Sequence, residues 1–418
     1  MTKKHIRSGT FTDNMKLPVH RWFRYSAGFS AEWVEEEIFN FSLEVDKPIK
    51  LIDPFVGSGT SLLAANAANI EAYGFEAHPF IARIAQAKQY WYLDEVSYLK
   101  AANDVCSLAK KTLETTHRHD PTNLLGKCYT LDSLSKLDSL KNAYESLSND
   151  DPIWELVWLN LTSILRPTSG VGTAQWQYVL PNKTKSKVID PYEAFLGKAE
   201  IMAYDMKIVK DKGWKPTSKV ILQDVREDIP VSSCNLLLTS PPYPNNYDYA
   251  DATRLEMMFW GEIDGWKDLQ KKVRYNLMRS CSQHSAAEKL KLDELLGMNE
   301  LKPILSEITK VTKELENVRK TKGGKKTYHT MIAAYFYDLA RIWNNLRKTM
   351  DTPSKICFVI GDSAPYGVHV PADKWLEKLA VSAGFKFDNF EKLRDRNIKW
   401  KNRTHDVPLL EGRLWIKG

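Results

Sequence analysis

The chain has 418 residues, enough for one large domain with insertions or two to three smaller ones, and its 43% hydrophobic content excludes a disordered polymer. A formal net charge of +7 is mildly basic, compatible with a polyanionic partner without requiring one. The five cysteines form no C-x-x-C pair, so no metal site or redox motif is signalled, and free thiols in a reducing cytoplasm are expected; no run approaches the roughly 18 apolar residues of a membrane span, and the charged N-terminus is not a signal peptide.

In chain order, the first clear strand is PIKLIDPF, residues 48 to 55. It runs into VGSGTSLLAANAANI, a glycine turn followed by a helix of small residues. EAYGFEAHPF is a second short strand ending near Glu76. Strand, glycine turn, helix and strand make a βαβ unit, which predicts a mostly parallel α/β sheet. Residues 81 to about 215 carry helical periodicity and are far too long for one crossover, so they form an insertion or a small helical subdomain. Its middle, RPTSGVGTAQWQYVLPNKTKSK, is rich in Pro, Gly, Ser and Thr and is predicted as a loop. The sheet resumes at SKVILQDVRED and CNLLLTSPPY. A second polar, helical stretch follows, ending near the basic segment VRKTKGGKKTYHT. MIAAYFYDLARIWNNLRKTM predicts a long helix, KICFVIGDSAPYG a buried strand, ADKWLEKLAVSAGF a helix and GRLWIKG a last strand.

Residues with chemical potential gather at the strand ends. Gly57 and Gly59 let backbone approach a ligand, and the helix from Thr60 directs its first N–H groups into the turn; a plain strand–helix turn is the other reading. Glu76, ending the second strand, is placed to bind ribose hydroxyls, or is simply exposed. Asp224 ends the third, where it meets an adenine amino group or caps a turn. In TSPPY, Pro241 and Pro242 offer no ladder N–H, so they stop the strand and leave Ser240, two rigid carbonyls and Tyr243 at the sheet's mouth.

The ordered set DPFVGSGT, GFEAHPF, QDV and TSPPY resembles the amino-methylating branch of S-adenosylmethionine-dependent DNA methyltransferases. HRWFRYSAGFSAEWVEEEI is similar to the segment that family sets beside the methionine end of its cofactor. The resemblance implies a Rossmann-like methyltransferase fold, with a mixed, mostly parallel seven-stranded sheet flanked by helices and carrying helical insertions. It implies S-adenosylmethionine as cofactor, held by Tyr25, Asp53, Phe55, Gly57, Gly59, Thr60, Glu76, Ala77, Asp224 and Val225, and no metal. The catalytic residues it implies are Ser240, Pro241, Pro242 and Tyr243. Ser240 and the Pro241 carbonyl would accept the hydrogens of a base amino group, while Tyr243 would stack on a base flipped from the duplex. No cysteine follows a proline, so the Pro-Cys nucleophile of cytosine-C5 enzymes is absent.

Serine in the first motif position resembles the cytosine-N4 enzymes; adenine-N6 DNA methylation and RNA base methylation are the alternatives. The cofactor motif precedes the catalytic motif, the reverse of the order usual for this wording. The resemblance divides the chain into a catalytic domain at residues 1–80, 216–254 and 331–418, interrupted by insertions at 81–215 and 255–330, either of which could recognise the target. Double-stranded DNA is the expected partner, with Arg166, Gln175 and Trp176 in the loop 166–178, Tyr247, and Lys322, Lys325 and Lys326 as contacts. A solvated charged loop and a structural aromatic loop are the competing readings. A restriction-modification setting, with a separately encoded nuclease, and a cytoplasmic, nucleoid-associated location in a bacterium or archaeon are expected.

Overall fold

The computed structural model describes residues 11–113, 120, 122–174, 178–245, 247–323, 326–396 and 407–418. Its strands are β1 (Lys50–Asp53), β2 (Glu71–Glu76), β3 (Val171–Thr173), β4 (Val179–Thr184), β5 (Ser218–Leu222), β6 (Cys234–Thr239), β7 (Met350–Gly361), β8 (Lys386–Arg396) and β9 (Leu409–Lys417). Seven of them form one sheet in the order β5-β2-β1-β6-β7-β9-β8. The first five positions are parallel, and β9 runs antiparallel to both β7 and β8. This is the Rossmann-like methyltransferase fold. The chain leaves β1 toward β2 and β5, then returns to β1's other side with β6. The strand order therefore reverses at β1, and a crevice opens beyond the carboxyl ends there.

The central strand β6 is buried at every residue, as expected of a strand covered on both faces. Its side chains alternate between two cores. Leu237 joins Ile52, Phe75, Met331, Trp343 and Trp375 on the face covered by helices Tyr328–Thr349 and Ala372–Ser382. Leu236 and Leu238 join Trp33, Leu51, Leu62 and Trp415 on the face covered by helices Ala31–Glu44 and Thr60–Ala68. A one-residue slip would exchange the two sets, so the register is strongly specified.

The stretch 81–215 is helical as expected, with long helices at Glu95–Lys111, Leu131–Leu147, Ile153–Ile164 and Pro191–Asp211. These share one hydrophobic core with the Val19–Tyr25 segment and with residues from Ala250 to Val273. Asp205, fully buried, accepts hydrogen bonds from the Val19 amide at 3.1 Å and from Trp22 Nε1 and Arg21 Nε, each at 3.0 Å.

Two elements depart from the sequence expectation. The predicted loop around residue 175 contains an antiparallel ribbon, β3 paired with β4. Its composition is that of turns, and only Val171 and Val179 meet the core, too few to impose an alternation. β8 is absent from the sequence reading, because it is an edge strand of mostly exposed, charged residues; such charges guard an open edge and erase the apolar pattern. No helix among the described residues is long and apolar enough to cross a membrane. The five cysteines are free and buried.

Candidate active site

A cleft open to solvent lies beyond the carboxyl ends of β1, β2, β5 and β6. Tyr25, Phe55, Gly57, Glu76, Ala77, Asp224, Val225, Ser240 and Pro242 all line it. Two stretches far apart in sequence, the cofactor-type motifs and TSPPY, thus meet in one cavity.

The glycine turn is built by backbone constraint. Gly57 and Gly59 have φ of +53° and +92°, the left-handed region that favours glycine. A Cβ on Gly57 would stand 3.1 Å from Tyr25 Cε1, so a side chain there would crowd the tyrosine that walls the cleft. Gly59 and Thr60 lie behind the turn, at the start of the helix, and are not among the residues lining the cleft.

Asp53 also stands apart from the cleft. Its carboxylate accepts hydrogen bonds from Thr239 Oγ1 at 2.6 Å, Ser61 Oγ at 2.5 Å and the Phe55 amide at 3.0 Å. Burial pushes its pKa up to about 6, against the pull of these bonds. With its oxygens so occupied, Asp53 ties β1 to β6 and to the helix after the turn.

Glu76 does face the cleft. One carboxylate oxygen accepts the Gly57 amide at 3.0 Å and the other the His78 amide at 2.9 Å. Burial raises its pKa to about 7. Asp224 is held from outside the cleft by Arg226, whose Nη2 lies 2.6 Å from one oxygen. Arg226 also pairs with the buried Asp338 on helix Tyr328–Thr349, at 3.2 Å. A chain of charges therefore sets Asp224 against the sheet.

In TSPPY, Ser240 Oγ donates weakly to the Val359 carbonyl at 3.3 Å. Pro241 is buried, and the carbonyl of Pro242 accepts the hydroxyl of the buried Tyr335 at 2.9 Å. Tyr243 is not among the cleft-lining residues. Its ring packs beside Gly361, with the Arg396 guanidinium 5.2 Å from its centroid. The tyrosine of this segment that does face the cleft is Tyr249, stacked on Tyr247 with centroids 4.1 Å apart.

The second insertion supplies the remaining wall, which sequence reasoning missed: Arg274, Met278, Ser280, Cys281 and His284. Arg274 is buried and paired with Asp248, another lining residue, with Nε–Oδ2 at 2.9 Å. The Asn245 amide donates to the Ser280 carbonyl at 2.9 Å, and the Arg279 amide to Asp338 at 3.0 Å. Irregular backbone rather than a periodic element carries most of these groups, so no hydrophobic pattern announces them.

The DNA-contact candidates divide. Arg166 is corrected: its Nε and Nη2 bond the buried carboxylate of Glu256 at 2.5 and 3.0 Å, and Nη2 bonds the Ala252 carbonyl at 2.7 Å. Its fork is committed inside the protein. Tyr247 is likewise buried, between Tyr178 and Tyr249. Lys322 and Lys326 are exposed, on the turn before helix Tyr328–Thr349. That turn adjoins the cleft wall, since Thr327 Oγ1 is 3.3 Å from Ser285 Oγ. Gln175, Trp176 and Lys325 lie outside the described residues. No group of three metal-ligating side chains occurs among the described residues.

The arrangement fits S-adenosylmethionine. A carboxylate at the end of β2 can take ribose hydroxyls, Asp224 and Val225 line the same cleft, and the glycine turn lets backbone approach a ligand there. No protein-family profile matches the chain. It is 26% identical to the Type II methyltransferase M.BsoBI of Geobacillus stearothermophilus, over 91% of this chain and 83% of that protein. It is 22% identical to the Type II methyltransferase M.AvaI of Anabaena variabilis, over 92% of this chain and 82% of that one. Among solved structures, an rRNA methyltransferase, aviRa from Streptomyces viridochromogenes, aligns over 94% of this chain and 89% of that one at 10% identity and a TM-score of 0.30, too distant to bear on the substrate. Over nine tenths of its length, then, this chain is similar to Type II methyltransferases, and one cleft gathers Glu76, Asp224 and Ser240 from its separate motifs.

Proposed function

We propose that this chain is a site-specific DNA methyltransferase that methylates the exocyclic N4 amino group of cytosine in duplex DNA, within a restriction-modification setting. The observation that carries the reading is the single cleft into which Glu76, Asp224, Ser240 and Pro242 all open. The similarity to Type II methyltransferases along most of the chain supports it.

S-adenosylmethionine, when bound, supplies an activated methyl group. Glu76 would hold the ribose hydroxyls and Asp224 the adenine amino group, with Tyr25 toward the methionine portion. The chain's own task at the target is to prepare a poor nucleophile. An exocyclic amino nitrogen has its lone pair delocalised into the ring. Ser240 and the Pro241 carbonyl accept its hydrogens and turn that lone pair outward. The prolines make these acceptors rigid, and Tyr335 fixes the next carbonyl, so little reorganisation is needed at transfer. The base must leave the duplex to reach this depth. Lys322 and Lys326 neutralise phosphates at the rim; changing both to Ala is expected to flatten the salt dependence of duplex affinity, by about 0.9 in log–log slope for each phosphate no longer neutralised.

Incubation with labelled cofactor and duplex DNA, RNA or neither, followed by nucleoside chromatography, tests the reading. N4-methylcytosine from duplex DNA is expected. N6-methyladenine would move the target base, and label in RNA alone would reject a DNA substrate.

Glu76 yields a pH prediction. Ribose hydroxyls donate to the carboxylate, so cofactor affinity requires the ionised form. With a cofactor-free pKa raised to about 7, affinity rises with pH through neutrality and levels off above it. Between pH 6 and 8 the ionised fraction rises from about one tenth to about nine tenths, so the gain is about tenfold. Glu76→Gln is expected to abolish the pH step, and Glu76→Ala to weaken binding by about 1–3 kcal/mol. Calorimetry across this range checks both.

A further inference from the structure

The ribbon β3–β4 has a fixed base and an exposed polar face. At the base, Lys185 Nζ donates to the carbonyls of Arg166 at 2.9 Å and Pro167 at 3.1 Å, and the Lys185 amide donates to the Gly170 carbonyl at 3.0 Å. Arg166 is itself locked to Glu256. Beyond this base the register jumps. Gly172 pairs with Leu180 while the adjacent Val171 pairs with Thr184, so Pro181, Asn182 and Lys183 form a bulge in the ladder. All three are exposed, as are Thr184, Ser186 and Lys187. From Pro167 to Ile189 the chain contains Lys183, Lys185 and Lys187 and no acidic residue. Bulges re-aim side chains out of a ladder, and a two-stranded ribbon matches the width of the DNA major groove.

The ribbon is also wired to the cleft. Where β4 begins, the Tyr178 hydroxyl accepts the backbone N–H of Asp248 at 2.7 Å, and its ring meets the edge of Tyr247 at 6.4 Å. Tyr247 stacks on Tyr249, and both Asp248 and Tyr249 line the cleft.

We propose that the β3–β4 ribbon is a DNA-reading arm that enters a groove of the duplex, and that Tyr178 couples its engagement to the cleft wall at Asp248–Tyr249. The inference rests on the DNA-methyltransferase reading above. Its occupant is duplex DNA, argued from the acid-free basic face and the cleft at its root. Asn182 presents an amide that can read a base edge, and Lys183 and Lys187 present charge to the phosphates. Tyr178 is a positioning residue, acting through the backbone of Asp248.

The test uses the full-length protein with a methylatable duplex. Hydrogen exchange in residues 179–188 is expected to slow when duplex is added. The Asn182→Ala/Lys183→Ala/Lys187→Ala variant is expected to raise the KM for duplex at least tenfold, with kcat and cofactor affinity kept. Tyr178→Phe is expected to do the opposite, lowering kcat several-fold with duplex affinity kept. Because loss of the hydroxyl leaves the Asp248 amide unpaired, kcat is compared at a temperature well below the variant's own melting point. Unchanged exchange together with a wild-type KM overturns the arm. A wild-type kcat in Tyr178→Phe overturns the coupling. Both failures leave duplex methylation by the wild type intact, whereas a wild type that methylates no duplex rejects the underlying reading instead.

Discussion

Ser240→Ala is expected to lower turnover on duplex DNA by on the order of 10²-fold, while the Kd for S-adenosylmethionine stays at the wild-type value. The scale is that of removing one preorganised polar group from a reacting centre. The split follows from position. Ser240 lines the cleft, and its hydroxyl proton is directed to the Val359 carbonyl at 3.3 Å, which leaves the oxygen's lone pairs to accept from a substrate amino group. A group whose hydrogen bond matters at transfer lowers kcat rather than ground-state binding. Single-turnover rates with saturating cofactor, beside equilibrium cofactor binding, make the comparison. A folded Ser240→Ala protein with wild-type turnover would remove the serine from the chemistry and leave activation of the amino group to backbone carbonyls alone.

Arg166→Ala is expected to act on the fold. The substitution leaves Glu256, about 1% exposed, without its counter-ion, and strands the Ala252 carbonyl as well. Breaking one half of a buried pair costs about 3–5 kcal/mol, because the remaining charge stays desolvated. A Tm lowered by several degrees is expected from thermal unfolding. Replacing both partners together, Arg166→Met with Glu256→Leu, should recover much of the loss, since two apolar side chains leave no charge behind. An Arg166→Ala protein that melted like the wild type yet bound duplex weakly would return the arginine to the DNA interface.

These two residues mark how far reading along the chain could reach. Ser240 was legible because its cause is local. A run of buried residues ended by two prolines places a serine at a strand end wherever that strand lies in the sheet. The glycine turn, Glu76 and Asp224 were legible for the same reason, and the left-handed φ values of Gly57 and Gly59 are what a tight strand–helix turn demands. The parallel sheet followed from strands alternating with helices.

The fate of individual polar side chains was not local. Arg166 meets Glu256 across 90 positions, and Asp53 meets Thr239 across 186. In sequence, each looks like a free charge awaiting a ligand. Burial alone turned them into struts, because a desolvated ion must find a partner wherever the chain can bring one. Tyr243 packs beside Gly361, while Tyr249, resting on Tyr247, lines the cleft, a division that depends on distant neighbours. The ribbon and β8 were hidden because only a few of their residues meet a core, too few to impose a period of two on the sequence. By itself, then, the sequence determined the parallel part of the sheet, its glycine turn and which residues stand at its carboxyl edge, all set by backbone constraint and apolar periodicity within a few residues. Only the tertiary structure decided which charges and rings reach the cleft, because that depends on which distant groups share the same desolvated volume.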